Sequence, residues 1–183
     1  MQTRTVVAAL TSLPPAQHAA IIGRASSDVL DRARRSFPLV WFPMVDHMHI
    51  CEIVYDVVGR DAFMDLLGGA FETAIRTPML RGIFGLITRV SESPVATLLR
   101  NASRLYSYVT RAVGTLEGQT DGPNSATLEV RGWPSADFDF EVWLAGTESN
   151  VRTALHGVGA VNATIEVEQR APERGFGAYR IRW

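Results

Sequence analysis

Hydrophobic residues recur every three to four positions through the first two thirds of the chain, and at every second position near its end. The first period is that of helices with one buried stripe, and the second that of half-buried strands. Pro14 and Pro15 suit the first turn of a short helix over Ala16 to Gly23, and Ser27 with Asp28 starts another that runs to Arg35. The Pro-punctuated connector SFPLVWFP leads to Pro43, which opens a helix ending at Gly59. Asp61 begins the next, with Phe63, Leu66, Leu67, Ala70 and Phe71 on one stripe. Pro78 breaks it and starts PMLRGIFGLITRV, apolar all round apart from its arginines. Ser93-Pro94 begins the longest helix, whose stripe runs from Val95 to Val113.

Then the period changes. GQTDGPNS, residues 118–125, is a run of turn formers and reads as a loop. ATLEVRGW alternates as a strand should. DFDFEVWLAGTESNVRTALHGVG reads as one helix over 137–157, with Gly146 the place where it would bend. NATIEVEQ and FGAYRIRW are two further strands joined by the hairpin RAPERG. The expected fold is α+β: an N-terminal helical bundle packed against a small antiparallel sheet, in the order strand–helix–strand–strand. One domain is expected over 1–183, with a helical part at 14–117 and an α/β part at 125–183.

A chain of 183 residues buries roughly 70% of its extended surface, so its core needs neither a disulfide nor a metal. Cys51 is alone, which excludes an internal disulfide and suits a reducing cytoplasm. The net charge is −1, and the 18 basic residues, all arginine, form no cluster. Nothing there resembles a nucleic-acid-binding face. The apolar run VVAALTSL is short and weakly flanked for a secretory signal. No apolar stretch reaches the ~18 residues of a membrane span.

The segment WFPMVDHMHICEIVYDVVG holds two histidines and the cysteine. On a helical wheel His47 and Cys51 share the apolar arc with Ile50 and Val54, while His49 falls among Asp46, Glu52 and Asp56. His47 and Cys51 could reach one metal, but a catalytic zinc needs three protein ligands and a structural one four. His47 therefore reads first as a core histidine, then as a ligand contact, and last as a metal ligand. Cys51, mid-helix on an apolar face, is expected to be an inert thiol. GVGAVN has two glycines of a dinucleotide fingerprint but follows a helix and precedes a strand, the wrong context. Asp137, Asp139 and Glu141 open a helix, where carboxylates stabilise the N-terminus. No constellation argues for catalysis, and the chain is not expected to be an enzyme.

What remains is an aromatic excess: Trp41, Phe42, Phe63, Phe84, Tyr108, Phe138 and Phe140, together with Phe71, Tyr106 and Trp143. These either fill the core or line an apolar pocket, since ligand sites are mostly apolar with few polar groups. A pocket would lie between the helices at 94–113 and 137–157, open toward the sheet. Its candidate ligand-binding residues are Tyr106, Trp143, His47 and Phe71.

The order of an aromatic-Pro helix opening, SPVATLLRNASRLYSYVTRAVG, LEVRGWP and a closing GAYRIRW resembles a family known mainly as many paralogues in myxobacteria. The resemblance covers residues 28–183 and rests on order and spacing, not on one motif. That family is similar, more distantly, to the 4-vinyl-reductase-type small-molecule-binding domain, the haem–nitric-oxide-binding domain and the Bet3-type subunits of vesicle-tethering complexes. The resemblance implies helices packed on an antiparallel sheet, an apolar cavity and frequent dimerisation. It also implies binding, sensing or scaffolding. The haem branch carries Tyr-x-Ser-x-Arg for the propionates and a histidine on the iron. Here the nearest stretch, YSYVTR from Tyr106 to Arg111, does not fit, and no histidine lies between His49 and His156. The cysteines that the 4-vinyl-reductase branch often carries near its end are absent from RAPERGFGAYRIRW.

The expectation is a non-enzymatic cytoplasmic regulatory or adaptor protein without a resident cofactor. It is expected to form a homodimer, hold a small hydrophobic ligand in an apolar cavity and engage a protein partner. Two alternatives stand beside it: an interaction module with a filled core, and a haem or metal sensor using His47.

Overall fold

The computed structural model describes residues 2–36, 42–110, 113–133 and 138–183. Trp41, Asp137, and Arg111 and Ala112 of the long predicted helix lie outside the described residues. The helical part runs α1 (Gln2–Ala9), α2 (Pro15–Arg24), α3 (Ser27–Arg35), α4 (Met44–Val58), α5 (Arg60–Ile75), α6 (Pro78–Val90), α7 (Pro94–Arg100) and α8 (Ala102–Val109). The sheet part follows as β1 (Thr115–Gly122), β2 (Ser125–Arg131), α9 (Phe140–Gly157), β3 (Thr164–Ala171) and β4 (Phe176–Arg182). The α+β class holds. The boundaries do not: helices begin at Gln2 instead of residue 14, and the sheet part begins at Thr115 instead of 125.

The sheet is wholly antiparallel, in the order β1–β2–β4–β3, so two hairpins join through β2 and β4 with α9 as the connection between them. The predicted strand–helix–strand–strand order lacked β1. TLEGQTDG buries Leu116 and exposes most of its neighbours, so it has too little alternation to read as a strand. As an edge strand it needs only one partner, and its ladder with β2 from Thr115↔Arg131 to Gly122↔Ser125 holds it. Gly118 adds a reason from outside the strand. A Cβ there would fall on the carbonyl oxygen of Leu99, because α7 lies flush against β1.

The long helix expected over 94–113 breaks at Asn101, where φ is −99° and ψ 11°. The Asn101 side chain donates to the Thr97 carbonyl at 2.8 Å, a local bond that competes with the helical ladder. By contrast, α9 continues through Gly146. Its N-terminus is capped by Asp139, whose carboxylate accepts from the N–H groups of Glu141 and Val142.

The core is continuous from the bundle to the sheet. α1 buries Val6 and Val7, and the single turn that follows it buries Leu10. On the inner sheet face Leu128 opposes Tyr179, and the Tyr179 hydroxyl donates to the Leu144 carbonyl at 2.9 Å, tying β4 to α9. α5 and α9 pack closely, with Ser149 donating to the Met64 carbonyl. Beside them Glu148, only 5% exposed, receives Arg60 at 2.7 Å and Arg152 at 2.8 Å. Two half-exposed guanidiniums thus meet the charge of a carboxylate that burial alone would penalise.

Candidate functional site

The helical phase read for α4 is the one observed: Cys51 is buried, His47 half-buried and His49 exposed. The His47 ring is engaged at both nitrogens. Nδ1 lies 3.0 Å from the Thr3 hydroxyl of α1, and Nε2 3.6 Å from the Cys51 sulfur one turn on. Either neutral tautomer satisfies both partners. Removal from water pushes the imidazole pKa down to about 4, and desolvation, reinforced by Glu52, pushes the Cys51 thiol up to about 12. The pair is a neutral imidazole beside a protonated thiol. That is unsuited to nucleophilic chemistry, which needs a thiolate. Among the described residues no three His, Cys, Asp or Glu side chains gather as a metal site would require.

His47 and Cys51 form one wall of a cavity of about 150 Å³ where the helices meet the sheet. Phe63, Leu67 and Phe71 of α5 form another, Tyr106 of α8 a third, and a stripe of α9 the fourth. Leu116 and Leu128 close it on the sheet side. His47, Phe71, Tyr106 and Trp143 thus all border one space, which reaches well beyond the two helices expected to enclose it. Among the described residues no charged side chain lines it. Tyr108, by contrast, is 40% exposed and has no place in the wall.

The polar groups at the sheet end of the cavity are mostly committed. The Tyr106 hydroxyl donates to the Val113 carbonyl at 2.9 Å, and the Thr110 hydroxyl to the Tyr106 carbonyl at 2.9 Å. Burial pushes the Tyr106 phenol up to about 12, so it stays neutral.

Sequence reasoning missed Trp133. It follows β2 directly, 4% exposed, and its ring stacks on Trp143 with centroids 4.4 Å apart and planes 17° from parallel. Gly175 holds its backbone: the Trp133 N–H donates to the Gly175 carbonyl at 3.1 Å. Gly175 sits at φ +57°, and a Cβ on it would strike the Trp133 carbonyl oxygen. The indole N–H is shielded from solvent and has no acceptor among the described residues. Such an unpaired donor costs about 1–3 kcal/mol. The only local signal for it was a Gly-Trp pair closing a strand.

A second, more open cleft of about 660 Å³ lies between α5 and α9. Its arginines are spent on carboxylates, Arg60 and Arg152 on Glu148 and Arg76 on Glu72.

No sequence family and no curated protein matches this chain. Solved structures do. The chain is similar to the Fe(II) unliganded H-NOX protein from K. algicida, with a TM-score of 0.65 at 10% identity over 99% of this chain and 93% of that one. It is similar to an oxygen-binding H-NOX domain related to soluble guanylate cyclases, with a TM-score of 0.58 at 12% identity over 97% and 90%. A structure from work on haem distortion in the H-NOX family gives 0.60 at 12% identity over 100% and 95%. The chain has the H-NOX fold over nearly its whole length.

The donor set here does not suit haem. Among the described residues the cavity offers no cation to the propionates, and both nitrogens of the histidine that lines it, His47, are already engaged. No helix among the described residues is long and apolar enough to cross a membrane.

Proposed function

We propose that this protein is a non-catalytic sensor or adaptor that binds a small apolar molecule, not haem, in the cavity between its helices and its sheet. The observation that carries the reading is the wall of that cavity, uncharged throughout among the described residues and bordered by elements of both halves of the fold. An occupant there touches α4, α5, α8, α9 and the sheet at once, so binding would couple the two halves. The solved H-NOX relatives are described as iron-containing and oxygen-binding, which supports ligand sensing as the use of this fold. The resemblance to the myxobacterial paralogues and the 4-vinyl-reductase-type domains supports the same reading, in a cytoplasmic setting.

The test is native mass spectrometry and absorbance of protein expressed with haem supplied. The expected result is no Soret band, together with either a retained apolar adduct or saturable binding of the dye ANS that a medium-chain apolar compound displaces. A Soret band that disappears in His47→Ala would overturn the haem-free reading.

A second observation favours an added interaction role. α6 buries Leu80, Phe84 and Ile87, but Leu86 is 62% exposed and Val90 73%. The helix is therefore not apolar all round in its setting; it has a buried face and a small outward apolar one. We infer that this outer face joins two copies in a symmetric dimer or receives a protein partner.

A further inference from the structure

Carboxylates meet the arginines over most of this protein, with one stretch excepted. Every described arginine from Arg24 to Arg76, and from Arg131 to Arg182, reaches an acidic side chain. Among the described residues no ion pair has a member between 77 and 128. That stretch holds Arg81 and Arg89 on α6, Arg100 at the end of α7 and Arg104 on α8. From residue 93 to residue 116 the sequence has no Asp or Glu at all. A chain of net charge −1 thus keeps a region whose positive charge is not neutralised locally. Such a region draws in anionic partners.

The outward face of α7 and α8 has the chemistry of a carboxylate receptor. Leu98, Leu99 and Ala102 are buried, while Arg100 and Arg104 are exposed on the other side. The Arg104 Nε–H donates to the Tyr108 hydroxyl at 3.2 Å, one turn on, which lays the guanidinium along the helix. Tyr108 is 40% exposed, and accepting that bond leaves its own proton for another acceptor. The Arg100 Nε–H donates to the Ala96 carbonyl at 3.2 Å. Both guanidiniums keep their terminal N–H groups for a carboxylate. The inner side of the same helices borders the cavity through Leu98, Leu99, Ala102, Leu105 and Tyr106. A partner held on the outside would sit one helix away from the ligand site.

Charge complementarity asks for an anion, and the rest of the face says which kind. Insertion into a lipid surface needs bulky apolar side chains. Beside Tyr108, the exposed positions here are Arg100, Asn101, Ser103, Arg104 and Ser107. A nucleic acid is a long polyanion held by many cations, and the net charge of this protein is −1. Two arginines four positions apart, with a phenol one turn beyond, match instead a short row of carboxylates on one helix.

We propose that the outward face of α7 and α8 docks an acidic helix of a protein partner, with Arg100, Arg104 and Tyr108 as its contacts. This names the partner chemistry of the adaptor reading and rests on that reading for its role. The docking contact itself does not depend on what fills the cavity.

The probe is a synthetic helical peptide about five turns long, with glutamates four positions apart along one face. It is titrated at low salt into the full-length, isotope-labelled protein and followed by amide and arginine Nε–H resonances. The largest shifts are expected at residues 100–108 and at the Arg100 and Arg104 side chains, fading as salt is raised. The double variant Arg100→Gln, Arg104→Gln should bind the peptide roughly tenfold more weakly. The control Arg34→Gln, Arg35→Gln removes the same charge from arginines that already share Asp31, and should stay within about twofold of the wild type. The reversed pair Arg100→Glu, Arg104→Glu should instead bind the same peptide carrying lysines for glutamates.

Equal losses in the two glutamine variants would reduce the effect to bulk charge and overturn the proposal. Shifts centred on α6, or spread over the surface, would remove the site from α7 and α8. Tighter binding of anionic phospholipid vesicles or duplex DNA through the same arginines would overturn the choice of a protein partner. A peptide that fails to bind at low salt sinks the docking site and leaves the cavity reading untouched.

Discussion

His47 is the residue whose state the fold changes most. In an unfolded chain its imidazole takes up a proton near pH 6.5, whereas in the folded protein desolvation holds the pKa at about 4. Between those values the unfolded state binds more protons, so stability rises with pH through the window and is full above about 6.5. As pH falls from 6.5 toward 4, the contribution of neutral His47 is lost. Thr3 and Cys51, the groups bonded to the ring, give no compensating negative charge, since the thiol stays protonated. Urea midpoints at pH 7 and pH 5 should therefore fall more for the wild type than for His47→Gln. Parallel losses in the two proteins would show that His47 does not titrate as the fold requires. At pH 7 the substitution should cost about 1 kcal/mol through the lost contacts with Thr3 and Cys51.

Among the elements, β1 and the start of β4 depend on glycines that no side chain can replace. Gly118 lets β1 lie against the carbonyl end of α7, where a Cβ would fall on the Leu99 oxygen. Gly175 combines a left-handed φ of +57° with the backbone of Trp133 pressed against it. Backbone on both sides leaves nothing soft to move aside. Gly118→Ala and Gly175→Ala should each destabilise by about 3 kcal/mol, read from denaturant midpoints. Gly159→Ala serves as a control: it has positive φ but nothing within 4 Å, and should cost less. If Gly118→Ala proved neutral, α7 and β1 would have to sit farther apart than described.

For the whole molecule, the outward face of α6 bears on assembly. Leu86 and Val90 lie one turn apart, exposed, on a helix anchored to the core by Leu80, Phe84 and Ile87. Exposed apolar neighbours on a rigid helix favour a contact across a two-fold axis, where each counts twice. Light scattering at micromolar concentration is expected to give a dimer mass for the wild type and a monomer mass for the double variant Leu86→Glu, Val90→Glu. The same change should leave the thermal midpoint of the monomer within a few degrees, because neither side chain is part of the core. A wild type that is monomeric throughout would leave α6 as a docking face for another protein, or as no interface.

Local chemistry was legible in the sequence. The 3.6-residue period placed most helices, and the phase of α4 put Cys51 inside and His49 outside before any coordinates, because burial on a helix follows from spacing along one chain. Alternation found β2, β3 and β4 for the same reason, and Asp139 was readable as a helix start because a cap acts within three residues. What escaped depended on contacts between distant segments. β1 was taken for a loop because its strand character comes from pairing with β2 and from Leu99 above Gly118, neither of which its own residues announce. The break at Asn101 goes with a side-chain bond to the Thr97 carbonyl, which a helical period does not register. His47, Phe71, Tyr106 and Trp143 could be nominated from their stripes, but a cavity is the space that packed elements fail to fill, and no residue encodes it alone. Trp133 shows the limit most clearly. Its place in the chain said only that a strand had ended; the stack on Trp143, the clamp of Gly175 and the missing acceptor exist only once three remote segments meet.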